Sequence, residues 1–175
     1  GLEVYVLRPC IVAGPRATAL ADSMPWRQLA ARLPGTARRA LAKVPALRMV
    51  VPDPGSPLQL VHHDDVASAI AAATVGRGEP GAYNLAADGT VTFGDVATAL
   101  GAVPVPVPRS AATLASEVVA KLPWVPALAE WIHVARTPVV MDTSRAKTLL
   151  GWQPEHTSAE TLEAMASAVR VRSRG

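Results

Sequence analysis

Cysteine is almost absent from this sequence. Cys10 is the single cysteine among 175 residues, so the chain cannot form an internal disulfide. A chain without disulfides suits the reducing conditions of the cytosol, and we therefore expect a cytoplasmic protein. Cys10 directly follows Pro9 in a mostly apolar stretch, so we expect its thiol to be buried and inert.

Strong charge and long apolar runs are also missing. The formal net charge is +3, and the arginines are scattered apart from a modest cluster at the C-terminal end. This distribution excludes the basic stripe of a nucleic-acid-binding protein. The longest apolar candidate, residues 111–135, is interrupted by charged residues and prolines. We therefore expect neither a nucleic-acid partner nor a membrane span.

The composition that remains is typical of a globular domain. Hydrophobic residues account for 50% of the chain and charged residues for 18%. A chain of 175 residues is long enough for one domain with its own core. Short apolar runs alternate along the chain with segments of helical spacing, which predicts an α/β fold.

The first 15 residues contain the most informative predicted strand. Residues 4–7 are all apolar, and Arg8 and Pro9 end the run. A short run that is apolar on both faces is typical of a strand inside a parallel sheet. Such a strand needs neighbours on both sides and none precedes it, so we expect the chain to be the C-terminal part of a longer protein. We expect its open edges to produce a homodimer, a strand-paired oligomer or a rearranged sheet.

Polar residues mark the starts of four predicted helices. The expected caps are Asp64 or Asp65, Thr92, residues 142–144, and Thr157 or Ser158. The last helix presents an apolar face formed by Leu162, Met165, Ala166 and Val169.

Two adjacent histidines, His62 and His63, precede the first of these caps and raise the question of a metal site. Neighbouring side chains in extended backbone point to opposite sides, so the two imidazoles should not share one metal ion. We therefore expect no metal site, a structural role for His62, and a capping role for Asp64 or Asp65.

Four segments, in this order along the chain, carry a resemblance to a known family. They are Leu7-Arg8-Pro9 with Gly14-Pro15, residues 61–67, Tyr83-Asn84-Leu85 with Val91-Thr92, and residues 142–146 with 150–154. Together they resemble the C-terminal half of extended short-chain dehydrogenases/reductases, the NAD(P)-dependent sugar epimerase/dehydratase family. The resemblance covers nearly all of residues 1–175. It implies the C-terminal part of a Rossmann-like doubly wound parallel sheet plus a small mixed α/β substrate-binding subdomain, without the N-terminal dinucleotide-binding part.

Two functional elements of that family are missing from the sequence. The family's glycine-rich phosphate loop and its catalytic Tyr-x-x-x-Lys pair both precede the sixth strand, and neither occurs here. Gly76, Gly78 and Gly81 lie between a predicted helix and a strand, which is the wrong order for a phosphate loop. We therefore expect no catalytic residue in this chain and no hydride transfer by it alone. The resemblance implies that NAD or NADP is held by the complete protein.

The resemblance leaves this chain part of the nicotinamide pocket and a substrate site. It implies that Leu7, Pro9 and Ile11 lie beside the cofactor. Arg8 is the charged candidate for a substrate phosphate or carboxylate, and a salt bridge to a neighbouring loop is an equally weighted alternative. The other substrate-binding candidates are Trp124, Trp131 and Arg136. For all three tryptophans, including Trp152, filling the core or capping a cleft is favoured over stacking on a base or sugar, and Trp124 and Trp131 are the first aromatic residues to test as substrate contacts.

The sequence therefore predicts the substrate-binding half of an NAD(P)-dependent epimerase/dehydratase-like oxidoreductase. Its expected partner is a small-molecule substrate, with nucleotide sugars among the candidates. Two alternatives remain open. One is a cofactor-binding sensor or scaffold of the same fold that lacks the Tyr-Lys pair. The other is a self-standing interaction domain that uses residues 111–135 as its surface.

Overall fold

A computed structural model describes residues 3–24, 27–28, 32–34, 36, 50–108, 138 and 140–173. The strands are β1 Tyr5–Pro9, β2 Ile11–Ala13, β3 Val50–Asp53, β4 Pro57–Leu58, β5 Leu60–His62, β6 Gly81–Leu85, β7 Val91–Thr92 and β8 Val103–Pro106. The helices are α1 Ala19–Ser23, α2 His63–Thr74, α3 Phe93–Ala99, α4 Ser144–Thr148 and α5 Ser158–Arg172. The substrate candidates Trp124, Trp131 and Arg136 lie outside the described residues.

The chain divides into two compact units. The first consists of Gly1–Leu20, Gln59–Val91 and Val139–Gly175. The second consists of Ala21–Leu58 and Thr92–Pro138.

Parallel strand pairs form the framework of the first unit. Strand β1 pairs with β6, and β2 pairs with β5, both in parallel. Only Cys10 separates β1 from β2, and its N–H donates to the carbonyl oxygen of Leu85 at 2.9 Å. Parallel pairing of strands separated by helices confirms the predicted α/β fold.

The prediction that the first strand is apolar and buried on both faces was wrong. Tyr5 and Leu7 are half-buried, whereas Val6 is 43% exposed and Arg8 is exposed. The reason is that the described elements cover the face that carries Val6 and Arg8 only in part. Arg8 and Pro9 also belong to β1 rather than ending it. Pairing of this strand with a second copy stays a prediction.

Strand β5 is the strand whose two faces are both covered. Leu60 and Val61 project to opposite faces, and both are fully buried. Val61 belongs to a core cluster contributed by β5, β6, α2, α4 and the segment after α4. The buried members of this cluster are Val61, Ala69, Tyr83, Leu85, Ala146, Leu150 and Trp152.

Trp152 fills the core of the first unit, which confirms the packing role weighed for it. Its side chain is 3% exposed. Its indole Nε1–H donates to the carbonyl oxygen of Asp65 at 2.8 Å, so the single polar atom of the indole is satisfied.

Helix α5 buries the apolar face that its sequence predicts. Leu162, Met165, Ala166 and Val169 are all at most 5% exposed. The helix begins with a capping box in which Thr157 and Glu160 exchange hydrogen bonds, and it packs on β2 and β5. Within the described ranges no helix combines the length and the hydropathy needed to cross a membrane.

The second unit contains the parallel pair of β3 and β8. Val50 lies opposite Val103, and Asp53 lies opposite Pro106. Strand β8 alternates valine and proline, and its prolines have no N–H to donate to the ladder. Helix α3 packs on this pair and begins with the predicted cap, Thr92, in a capping box with Asp95.

A matched pair of substitutions on α5 tests how strongly this helix depends on its buried face. Met165 is fully buried, so Met165→Ala should lower the free energy of unfolding by about 2–5 kcal/mol. Val171 is 71% exposed on the same helix, and Val171→Ala should change it by less than about 0.5 kcal/mol. Urea unfolding followed by circular dichroism measures both. Equal effects would show that α5 is not packed as described.

Candidate functional site

The carboxyl ends of β2 and β5 lie side by side in the first unit. Ala13, the last residue of β2, is the register partner of His62, the last residue of β5. Residues 14–16 follow β2, and residues 63–65 begin α2. In open parallel sheets, ligands bind outside the carboxyl ends of the strands. This edge is therefore the first place to look for functional side chains.

His62 caps helix α2, and the expectation that Asp64 or Asp65 does so was wrong. The Nδ1 atom of His62 accepts a hydrogen bond from the backbone N–H of Asp64 at 3.3 Å, and His62 has extended backbone. The carboxylates of Asp64 and Asp65 do not cap the helix because each already accepts hydrogen bonds from other residues. His62 is 4% exposed, in agreement with its expected structural role.

Asp65 connects the first turn of α2 to the segment before α5. Its carboxylate accepts hydrogen bonds from the backbone N–H groups of Glu155 at 3.0 Å and His156 at 3.2 Å. The carboxylate also lies 3.2 Å from Nδ1 of His156. Asp65 is 2% exposed, and a buried carboxylate requires partners of this kind. Sequence reasoning missed this contact because its partners are about 90 positions apart.

Three imidazoles lie together beside this carboxylate, with His62 stacked on His156 and tilted against His63. The ring of His62 lies 4.0 Å from that of His156 and 4.3 Å from that of His63, measured between centroids. Burial lowers the pKa of His62, and the neighbouring His156 and His63 lower it further, while Asp64 and Asp65 act in the opposite direction. His62 is therefore predominantly neutral at pH 7.

Arg16 binds the outer side of this cluster. Its Nε donates to Nε2 of His63 at 3.0 Å, and its Nη2 donates to Oδ1 of Asp64 at 2.6 Å. Desolvation acts to raise the pKa of Asp64, but the charges of His63 and Arg16 outweigh it, so the pKa lies below its ordinary value. Sequence reasoning did not single out Arg16.

The expectation that the imidazoles of His62 and His63 point to opposite sides was wrong. His63 is the first residue of α2 rather than part of an extended strand, so its ring lies on the same side as that of His62. Donor atoms of His62, His63 and Asp64 lie within 4.8 Å of one another. Arg16 already donates to both His63 and Asp64, so a metal ion would have to displace a bound guanidinium. The absence of a metal site stays a prediction.

Gly14 allows the chain to pass closely over the imidazoles. Its φ is +140°, a conformation that residues with a side chain rarely adopt. A Cβ atom at this position would lie less than 3.0 Å from atoms of both His62 and His63. The glycine of the Gly14-Pro15 motif is therefore required by local packing.

The predicted cofactor and substrate residues of β1 and β2 lie on one continuous stretch of chain. Leu7 and Ile11 are half-buried, whereas Arg8 and Pro9 are exposed. In the part of the chain that the structure describes, the Arg8 guanidinium has no hydrogen-bond or ion-pair partner. The alternative of a salt bridge to a neighbouring loop therefore finds no partner there.

Cys10, between β1 and β2, is half-buried rather than buried. Burial raises the pKa of its thiol to about 11. The thiolate is therefore scarce at neutral pH, which agrees with the expectation of an inert cysteine.

The segment before α4 is attached to the strand ends by two side-chain amides. Asn84, which lies opposite Arg8, donates to the carbonyl oxygen of Asp142 at 3.1 Å. Gln59 accepts a hydrogen bond from the backbone N–H of Met141 at 2.8 Å. The Asp142 carboxylate accepts the N–H of Ser144, which lowers the pKa of Asp142, but the capping position itself belongs to Thr143, which makes no side-chain cap. The expected cap is thus only partly correct.

No protein-family model and no curated protein sequence matches this chain. Solved structures do match. The enzyme WbmG from Bordetella bronchiseptica in complex with NAD aligns with a TM-score of 0.59 and 18% identity, over 97% of this chain and 44% of its own. UDP-glucose 4-epimerase from Thermotoga maritima with UDP-glucose aligns with a TM-score of 0.53 and 21% identity, over 98% and 47%.

This is the epimerase/dehydratase fold. A third match is RMD from Pseudomonas aeruginosa complexed with NADPH, with a TM-score of 0.54 and 20% identity over 96% of this chain and 48% of that structure. The chain thus spans about half the length of the structures it matches. The Rossmann-like α/β fold implied by the four sequence segments is confirmed.

Two glycine substitutions test the close approach of Gly14 to the histidines. Gly14→Ala should destabilise the chain by more than Gly55→Ala. Both glycines have positive φ, at a cost on the order of 1–3 kcal/mol for a residue with a side chain. A Cβ at Gly14 would also clash with atoms of His62 and His63, whereas no atom lies within 4 Å of a Cβ at Gly55. Adding His63→Ala should recover part of the Gly14→Ala loss in urea unfolding. Similar losses for the two glycines, without recovery, would contradict the packing.

Proposed function

We propose that this chain is the substrate-binding part of an NAD(P)-dependent epimerase/dehydratase-like oxidoreductase. One observation carries the proposal: 96–98% of the chain aligns with about half of each of three proteins of this fold. The structure of RMD holds NADPH, that of UDP-glucose 4-epimerase holds UDP-glucose, and that of WbmG holds NAD. The complete protein is proposed to bind NAD or NADP together with a small-molecule substrate.

The proposed cofactor contacts lie along β1 and β2. Leu7, Pro9 and Ile11 occupy a stretch whose outer face is only partly covered by the described elements. Parallel pairing with β6 and β5 fixes the register of these residues along the strands. A bound nicotinamide would accept or donate a hydride. The role proposed for these residues is to form one wall of its pocket and to exclude water from it.

The proposed substrate contact is Arg8. Its guanidinium is exposed and has no partner among the described residues, so binding an anion would break no existing ion pair. A guanidinium presents a planar set of donors that matches two oxygens of a phosphate or carboxylate. A nucleotide sugar carries such a group in its diphosphate. Trp124, Trp131 and Arg136 remain proposed substrate contacts from the resemblance.

The proposed role of this chain is binding rather than chemistry. Its sequence contains neither a Tyr-x-x-x-Lys pair nor a glycine-rich loop between a strand and a helix. General-base catalysis and most of the pyrophosphate binding would therefore come from other residues of the complete protein. A second candidate is a cofactor-binding sensor or scaffold of the same fold, in which the complete protein also lacks the Tyr-Lys pair. That candidate predicts cofactor binding without turnover.

Binding measurements on the protein as its gene encodes it test the proposal. Calorimetry should detect binding of NADH or NADPH and, separately, of UDP-glucose. Arg8→Gln should weaken UDP-glucose binding by roughly tenfold to a hundredfold, the usual worth of hydrogen bonds from a charged group. The same variant should leave the dinucleotide affinity within about twofold.

Arg77→Gln provides the matched control. Arg77 is an exposed arginine in the loop before β6 and is not proposed to bind a ligand. The Arg77→Gln substitution should leave the affinities for the dinucleotide and for UDP-glucose unchanged. Absence of any NADH or NADPH binding would overturn the proposed function. Dinucleotide binding with unaltered UDP-glucose affinity in Arg8→Gln would overturn only the role of Arg8.

A further inference from the structure

The cluster of His62, His63 and His156 is not used by the proposed function. It lies at the contact between α2 and residues 155–157, which precede α5. His62 is the buried ring, and both His63 and His156 lie against it. The three rings come from two segments that are about 90 positions apart in sequence. A change in the charge of His62 would therefore act on the contact between those segments.

The hydrogen bonds define the protonation state of His62. Its Nδ1 accepts the N–H of Asp64, so in the neutral ring the proton must reside on Nε2. A second proton would have to bind at Nδ1, which would turn this atom from an acceptor into a donor that faces the N–H of Asp64. Protonation of His62 therefore removes the cap of α2.

The position of the ring also disfavours a positive charge. His62 lies at the N-terminus of a 12-residue helix, where the exposed N–H groups already give a partial positive charge. The ring of His156, which stacks on His62, has its Nδ1 atom 3.2 Å from the Asp65 carboxylate. Glu160 of α5 faces His156 as well. The ring of His63 accepts a hydrogen bond from the Arg16 guanidinium, which places a further positive charge beside the cluster.

Two carboxylates oppose these effects. Asp64 lies 3.6 Å from Nδ1 of His62 but is already paired with Arg16 at 2.6 Å. Asp65 is already bonded to two backbone N–H groups and contacts His156. Their attraction for a proton on His62 is therefore reduced. Burial and the neighbouring imidazoles outweigh it and lower the pKa of His62.

We propose that protonation of His62 releases residues 155–157 from the start of α2, so that this contact opens in mildly acidic solution. The released contact consists of the His62–His156 stack and the N–H bonds to the Asp65 carboxylate. Helix α5 stays attached through a separate contact, in which the hydroxyl of Ser158 accepts the N–H of Leu60 at 3.2 Å. Neither group of this hydrogen bond titrates between pH 5.5 and 7.5. The opening is therefore local.

The direction of the pH dependence follows from linkage. The folded chain binds a proton at His62 less readily than the open chain. Stability is therefore complete above the ordinary histidine pKa of about 6.5 and falls as the pH drops below it. One unit below that value, at pH 5.5, the equilibrium constant for opening should have risen by up to about tenfold.

Hydrogen exchange at single amides measures the opening. Between pH 7.5 and 5.5, after correction for intrinsic exchange, the amides of Asp64, Glu155 and His156 should lose up to about tenfold in protection. The amide of Leu60, which is bonded to Ser158, should keep its protection. Loss at all four amides alike would indicate detachment of α5 and would overturn the local opening. Unchanged protection at the first three would overturn the proposal altogether.

His62→Asn is the decisive variant. Asparagine is among the best helix caps and does not titrate, so it keeps the acceptor for the Asp64 N–H and removes the proton site. This variant should show less than about twofold change in opening between the two pH values. The same acid-induced opening in His62→Asn as in the unaltered chain would contradict the proposal.

A second measurement keeps the proposal testable if that variant fails to fold. In the unaltered chain, an NMR titration of the imidazole of His62 should give a pKa below the ordinary value. His156→Gln removes the stacked ring but leaves an amide that can donate to Asp65, so it should move the pKa of His62 back toward that value. An unshifted His62, or one that His156→Gln does not affect, would overturn the role of the stack.

Discussion

The buried carboxylate of Asp65 is the interaction on which the rest of the first unit depends. It is nearly inaccessible to water, and the N–H groups of Glu155 and His156 replace that water. The backbone carbonyl of the same residue accepts the indole N–H of Trp152. One residue thus fixes both the core tryptophan and the segment that begins α5. Removing the partners of a buried charge costs about 3–5 kcal/mol, so the two segments are strongly linked.

This link keeps the strand ends in a defined arrangement. With Asp65 in place, β5 ends at His62, α2 starts at His63, and Gly14 passes closely over both imidazoles. Strand β2 is therefore held in register with β5, and β1, its continuation, is held by β6. The same stretch carries the residues proposed to contact the cofactor and the exposed Arg8. A rigid framework thus presents a partly uncovered, polar strand end, which is the arrangement needed for ligand binding in an open α/β sheet.

The features that the sequence predicted correctly are those that depend on neighbouring residues. The apolar face of α5 follows from its helical spacing, and the caps Thr92 and Thr157 follow from an acidic residue three positions later. The features that it did not predict depend on distant residues. The cap of α2 passes to His62 because Arg16 and residues 155–156 occupy the two aspartates. The partial exposure of β1 depends on which elements cover its faces, and no local pattern specifies that.

Strands β1 and β2 are proposed to form part of a dinucleotide-dependent site. Hydrogen exchange on the protein as its gene encodes it, with and without saturating NADH or NADPH, shows whether they do. The dinucleotide should slow exchange in residues 5–13 and leave exchange in α5 unchanged. Dinucleotide binding without any change in residues 5–13 would show that these two strands do not form the site.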